Sequence, residues 1–349
     1  MSSSEYQVQT ITFFQRNNMT PPSTTNGYAN LMTVALPQPM DLTNSEVALA
    51  SLFCYYSWPN ISAAFNNNAF SYTIPDTATG TTWGTTYPVE TTVGGGVLTD
   101  GVYTIADLNS ALQFTLENNG HYVIDADGNN VYPLSFAVNP TAYCVTVTVT
   151  PIVEPLPTGW SYPSTGAARF TSANTFDSTV CRINIPTTSD AAGSTNVGQS
   201  SISKILGLPV QSYPPTTTHP TPASSLSPLM YNGVVPQVSV TNSINVTCNL
   251  VNASTITPIA ANVIYSFSPT SESGTQIQER PYNHQWLPVT PGRYNNISIG
   301  LVTDAFQQLL NKDHAVSATI LIRRKVLPSH KENLVQGAMM GEKRTRYVM

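Results

Sequence analysis

Residues 294–325 carry the clearest pattern in the chain. Ile297, Ile299 and Leu301 share one face of an alternating run, and Val316, Ala318, Ile320 and Ile322 share one face of a second. Ser317, Thr319 and Leu321 fall on the opposite face of that second run. Period-2 alternation marks a half-buried strand, because successive side chains point to opposite sides of a sheet. Arg323, Arg324 and Lys325 follow at once. Three adjacent charges do not continue into a core, so the pattern predicts that the strand stops there and that the folded body closes with it.

Further strand-like runs lie at 6–14, 31–36, 69–74, 179–185, 235–240, 243–251, 263–267 and 286–289. In 142–151, Val145, Val147 and Val149 alternate with Thr146, Thr148 and Thr150. Residues 46–61, EVALASLFCYYSWPNI, form the densest apolar run and suit a strand buried on both faces, ended by Trp58-Pro59-Asn60. Residues 121–125 and 130–138 flank Asp125-Ala126-Asp127-Gly128-Asn129, which reads as a hairpin turn. One main helix is predicted after 97–101. Thr104 and Asp107 form a capping box, Ile105, Leu108, Ala111, Leu112 and Leu116 share one helical face, and Asn118-Asn119-Gly120 stops it. A short helix is expected at 200–206, before Gly207. Residues 76–96 are Thr- and Gly-rich and read as a long exposed loop; 151–163 and 213–228 are Pro-rich connectors. A dozen or so strands, two helices and no βα alternation predict an all-β fold, a sandwich or jelly roll with long Pro/Thr-rich loops.

Charged residues make up only 9% of the 349 positions, against roughly 25% in ordinary soluble domains. The 41% apolar content, with 17 Tyr and 11 Phe, still supports a packed body. A surface of hydroxyls and amides suits a protein packed against copies of itself, and equally an adhesive or lectin-like one. The net charge of −5 conceals an asymmetry. Arg323, Arg324, Lys325, Lys331, Lys343, Arg344 and Arg346 are half of all the bases, so residues 321–349 carry +5 and the remainder −10. A basic tail on an acidic body is either solvated or meets nucleic acid, a membrane surface or an acidic partner.

No run approaches the ~18 apolar residues of a membrane helix, and MSSSEYQVQT does not read as a secretory signal. Cys54, Cys144, Cys181 and Cys248 are far apart in apolar runs, which predicts buried free thiols. The triplets at Asn60, Asn245 and Asn252 match the glycosylation pattern and are expected by chance in a chain this rich in Asn, Ser and Thr. Asp125-x-Asp127-Gly128 lacks the spacing of a calcium loop. His121, His219, His284, His314 and His330 stand at no metal-ligand spacing, and His121 with Asp125 or Asp127 lacks a nucleophile, so neither catalysis nor a cofactor is expected.

Several blocks together resemble a known family. Residues 46–61 after 36–42 (LPQPMDL), 100–109 (DGVYTIADLN), 205–208 (ILGL), 243–252 (SINVTCNLVN) and 294–325 with its closing Arg323-Arg324 are similar, in order and spacing, to the minor capsid (penton) proteins of Polintons, virophages and Polinton-like viruses. The resemblance covers about residues 30 to 325. The chain departs from the pattern in its tail and in its elaborate middle. The resemblance implies a viral jelly-roll β-sandwich and a structural virion protein, the pentameric vertex protein, assembling with itself and with other capsid proteins. An elaborate middle leaves room for a compact double jelly-roll major capsid protein forming pseudo-hexagonal trimers. On this reading 1–29 is an N-terminal arm and 30–325 the body. Residues 30–75 and 236–325 supply its core strands, and 97–235 is an elaboration or second jelly roll. Residues 326–349 form a basic tail. Arg323, Arg324, Lys325, Lys331, Lys343, Arg344 and Arg346 would contact encapsidated DNA or inner capsid proteins. A different reading makes the chain a carbohydrate-binding or adhesive sandwich, with Trp83, Tyr87, Trp160 and Tyr162 stacking on sugars; the plainer expectation is that these aromatics pack under long loops.

Overall fold

A computed structural model describes residues 6–14, 31–76, 83–166, 168–173, 180–186, 202–215, 228–239, 241–251, 262–304, 306, 309–312 and 315–325. The chain order begins β1 (Tyr6–Phe14), β2 (Leu31–Asp41), β3 (Ser45–Tyr55), β4 (Ser71–Pro75), β5 (Trp83–Pro88) and α1 (Ile105–Asn119). It continues with β6 (Val123–Ile124), β7 (Asn130–Val131), β8 (Leu134–Asn139), β9 (Cys144–Val149), β10 (Arg182–Asn184), α2 (Ile202–Leu206), β11 (Ser212–Tyr213) and β12 (Leu229–Asn232). It ends with β13 (Ile244–Cys248), β14 (Val263–Phe267), β15 (Gln276–Glu279), β16 (Leu287–Pro288), β17 (Arg293–Thr303) and β18 (Ser317–Lys325). The fold is all-β with one main helix. It divides into two units: residues 1–58 with 241–349, and residues 59–240.

The first unit is two antiparallel sheets over one core. One sheet runs β1-β18-β3-β15, with β16 added beside β3, and the other runs β14-β13-β17-β2. Numbering its eight main strands along the chain, the sheets read 1-8-3-6 and 5-4-7-2. The chain changes sheet at every step except the β13–β14 hairpin. That is the strand order of a jelly roll. Alternation explains why the sheets close on each other. Phe13, Val47, Leu52, Ala318, Ile320 and Ile322 from one sheet, and Met32, Val246, Ile297, Ile299 and Leu301 from the other, are all buried in one apolar cluster. Each of these Phe, Val, Leu, Ile and Met side chains contributes about 1.5–3 kcal/mol on burial, and Ala318 less.

Three details depart from the sequence pattern. β18 does not stop before the basic triplet: Arg323 pairs with Val8 and Glu46, Arg324 with Gln7 and Ser45, and Lys325 with Tyr6. The strand continues because one face of the sheet is open to solvent, where charge costs little. β2 runs on through Pro37 and Pro39, because it is an edge strand and the prolines sit in a bulge between the Ala35–Asn296 and Met40–Tyr294 pairs. Tyr6–Phe14, inside the segment read as an arm, is a full strand against β18. In addition, 294–303 and 317–325 are not neighbours; they lie in opposite sheets.

The second unit has its own core. Its sheets run β11-β10-β4-β5 and β12-β9-β8, with a β6-β7 ribbon. This order differs from that of the first unit. α1 lies against β8, where the Asn109 side chain accepts from the Phe136 amide at 2.8 Å. The predicted capping box is present: the Asp107 amide donates to the Thr104 hydroxyl at 3.2 Å, and the Thr104 amide to the Asp107 carboxylate at 2.8 Å. All five predicted apolar positions of α1 are buried. The Asp-Gly turn does join β6 to β7. Trp83–Pro88, read as loop, is instead a strand on β4, because Thr and aromatic side chains suit an exposed edge. Residues 235–239, read as strand, are irregular, and the pairing falls earlier, at β12.

Candidate functional site

The basic end of β18 was the strongest candidate in the sequence. Here the Arg323 Nε donates to the Glu46 carboxylate at 2.5 Å. Its guanidinium also lies 4.7 Å from the Tyr6 ring centroid and 4.2 Å from that of Trp286. One cation therefore ties β1, β3 and the segment before β16 together, and its charge is already met. Arg324 is exposed on the same strand end. Asp41 lies nearby in the electrostatic sense: hydrogen bonds from Thr43 hold its carboxyl below the usual value, with Arg324 and Arg293 adding to the effect. Lys325 is paired in the strand. Lys331, Lys343, Arg344 and Arg346 lie outside the described residues.

The four aromatics considered for sugar stacking separate. Trp83 packs against the core of the second unit with the Arg182 guanidinium 5.1 Å over its ring. Tyr87 stacks on Tyr72 at 5.5 Å and meets His121 edge-on at 4.7 Å. Tyr162 is half-buried and donates its hydroxyl to Glu154. Trp160 alone lines a crevice, shared with Tyr122, Tyr132, Pro133 and Pro151, whose volume of about 10 Å³ is no more than room for one water.

The groups considered for acid–base chemistry are engaged in structure. His121 is fully buried. Its Nδ1 lies 2.8 Å from the Tyr72 hydroxyl and its Nε2 3.0 Å from the Ala168 carbonyl. A carbonyl only accepts, so Nε2 carries the proton, and Nδ1 accepts from Tyr72. Tyr72 in turn accepts from Asn119 at 3.0 Å. Burial pulls the imidazole pKa down to about 4, so it is neutral. Asp125 is spent on its own turn, accepting from the amides of Asp127 and Asn129 at 2.9 and 2.8 Å. All four cysteines are free and buried. Burial raises the Cys248 thiol to about 11 and pushes Cys181 up further. Among the described residues no three His, Cys, Asp or Glu side chains are placed to hold a metal ion. No described helix is long and apolar enough to cross a membrane.

Two of the glycosylation triplets are closed off. Asn60 is buried and donates to the Tyr103 and Val238 carbonyls at 2.8 and 2.9 Å. Asn245 is buried and donates to the Thr303 carbonyl at 3.1 Å. Asn252 lies outside the described residues.

One solved structure the chain matches is the selenomethionine-labelled mavirus penton protein, with a TM-score of 0.41 and 10% sequence identity over 93% of this chain and 100% of that one. No protein-family model matches the sequence, and no curated protein matches it.

Sequence reasoning missed one surface. β1 looked like part of an arm, yet it is an exposed sheet edge carrying Tyr6, Val8 and Phe14. Its alternation was legible. Its place at the edge was not, because edge position is set by which strands pair across more than 300 residues.

Proposed function

We propose that the chain is a structural capsid protein that assembles with itself and with other coat proteins in the virion, as the pentameric vertex protein. The observation that carries this is the strand order of the first unit, an eight-stranded jelly roll interrupted between its third and fourth strands by the 59–240 unit. Sheets closed over one core leave loops free to vary at the ends, which suits a shell subunit. The sequence resemblance to penton proteins and the low charge of the chain, which limits repulsion between packed copies, support the same reading. The trimeric major-capsid alternative calls for two jelly rolls, and the sheets of the second unit follow another order. Native mass and negative-stain symmetry of the purified chain test the proposal. A five-fold ring supports it, and a trimer with a six-fold outline overturns it in favour of the double jelly roll.

The basic tail is proposed to face the packaged DNA or inner capsid proteins. Arg323 is the weakest member of the proposed set, since Glu46 and two rings already hold it. Truncation after Lys325 is expected to abolish a salt-dependent DNA affinity. A carbohydrate reading rests on Trp160 alone, beside a crevice too small to enclose a sugar ring; a glycan screen in which Trp160→Ala removes a hit would favour it over the capsid role.

A further inference from the structure

The β11-β10-β4-β5 sheet of the second unit carries a polar array on its outer face that the capsid role leaves unexplained. Tyr72, Ile183 and Tyr213 turn inward and are buried in the core of the unit. Their strand neighbours point the other way. There Arg182 lies opposite Thr73, Thr73 opposite Thr86, Asn184 opposite Ser71, and Ser212 opposite Asn184. A register shift between Thr73 and Pro75 brings Trp83 level with Pro75. From β10 the Arg182 side chain reaches across β4 to that ring, with the guanidinium 5.1 Å from its centroid.

Arg182 is a cation without a counter-charge. Its Nε is closed off from water and has no hydrogen-bond acceptor, and no acid pairs with it among the described residues. Arg323 also lies over a Trp ring, but there Glu46 meets the charge. Acids are not scarce around Arg182: residues 59–240 hold Arg169, Arg182 and Lys204 against ten Asp and Glu, a net −7. Burial pulls the Arg182 pKa below its ordinary value, and no neighbouring carboxylate offsets the shift.

The adjoining hydroxyls are left as donors. Asn184 accepts from the Ser212 hydroxyl at 2.8 Å. Its amide spends both hydrogens, on the Ser71 and Thr73 oxygens at 3.3 and 2.9 Å. Thr73 and Thr86 share one hydrogen at 2.8 Å, so whichever way it points one hydroxyl of the pair keeps a proton. Thr86 is exposed and Arg182 half-buried, so the outer guanidinium nitrogens and this hydroxyl pair are open on one side.

We infer that this face binds an oxyanion, a carboxylate or sulfate group, held between the Arg182 guanidinium and the Thr73–Thr86 hydroxyl pair. The guanidinium fork matches two oxygens of such a group, and the threonine proton meets one of them. The surrounding −7 repels a polyanion such as nucleic acid, and a single fork is too little to hold one, so the ligand is one anionic group. The same chemistry comes free in solution or carried on a sugar, whose hydroxyls would then meet the Ser71–Asn184–Ser212 row. The inference does not depend on the vertex reading, since the site lies within one copy of the second unit.

The experiment is titration of the full chain with sodium sulfate and sodium acetate, against sodium chloride at equal ionic strength. The readout is Trp83 emission, isolated by difference from Trp83→Phe. A saturable change with sulfate or acetate, absent with chloride, is expected. Arg182→Gln should abolish it, and Arg182→Lys, which keeps the charge and loses the fork, should weaken it. Either threonine can supply the proton, so both are replaced: Thr73→Val with Thr86→Val should weaken binding roughly 10–100-fold, the weight of one hydrogen bond to a charged group, and leave the reporter untouched. Glucose 6-sulfate and glucuronate separate the sources. Tighter binding than the free anion, lost in Ser212→Ala, assigns the site to a sugar-borne group, and equal binding assigns it to the anion itself. Circular dichroism confirms that each variant is folded. No saturable change beyond that of chloride, or a folded double-threonine variant with the parent's affinity, overturns the inference. Ring symmetry is measured separately, so failure here leaves the vertex reading to its own test.

Discussion

Asn60 is the residue whose removal the structure predicts most concretely. It is 5% exposed at the start of the second unit. Its side-chain amide donates to the Tyr103 carbonyl at 2.8 Å and the Val238 carbonyl at 2.9 Å, and its side-chain oxygen accepts from the Tyr103 amide at 2.8 Å. One side chain thus holds together the entry of the unit, the approach to α1 and the segment just before the exit. Asn60→Ala removes all three bonds and adds no apolar burial. At about 1 kcal/mol net for each bond, the loss is about 3 kcal/mol, and the stranded Tyr103 amide adds to it. For a unit of this size about 2–4 °C accompanies each kcal/mol, so the melting transition that includes residues 59–240 should fall by roughly 6–12 °C. Asn60→Asp keeps the acceptor for the Tyr103 amide but turns a second carboxylate oxygen toward the Tyr103 and Val238 carbonyls, an acceptor facing acceptors in a buried site, so it should cost at least as much as Asn60→Ala. Circular dichroism melts and urea titrations read the loss, and hydrogen exchange at the Tyr103 amide reads its location. An Asn60→Ala chain that melts within about 1 kcal/mol of the parent would refute the reasoning, since it would mean that water replaces the three bonds.

Other outcomes follow from the same packing. Gly120 caps α1 at φ +72, and a Cβ there would lie 2.4 Å from the Arg169 Cβ and 2.7 Å from the Thr165 carbonyl. Gly120→Ala should therefore cost more than the ~1 kcal/mol of an ordinary cap change, read as a lowered urea midpoint. The His121 pKa falls on folding from 6.5 to about 4, so the unfolded chain binds the proton first as pH drops. Its stabilising effect is whole above pH 6.5 and is lost as pH falls through about 4, a change on the order of 3 kcal/mol. A stability–pH series in which His121→Gln keeps the parent's slope would contradict this. Arg323→Ala loses the Glu46 pair and contacts with two rings, at a cost of about 1–2 kcal/mol. It should leave the salt slope of any DNA binding unchanged, whereas truncation after Lys325 should remove the binding.

What the sequence determined by itself was local. Alternation located most strands, and the capping box with its five-residue apolar face located α1 and its end at Gly120. Burial of all four cysteines followed from the apolar runs around them. These signals are readable because period, caps and turns depend on residues within a few positions of one another. Tertiary structure decided the rest. Whether Arg323 ends a strand or sits within it depends on Glu46, Tyr6 and Trp286, hundreds of residues earlier or tens away. Whether Trp83–Pro88 is a loop depends on β4 offering it an edge. The jelly-roll order itself exists only in the pairing of β1 with β18 and of β2 with β17, which joins the two ends of the chain around an inserted unit. The same holds for β1: its neutral, alternating residues were visible from the start, but only the pairing of distant strands made them a free edge.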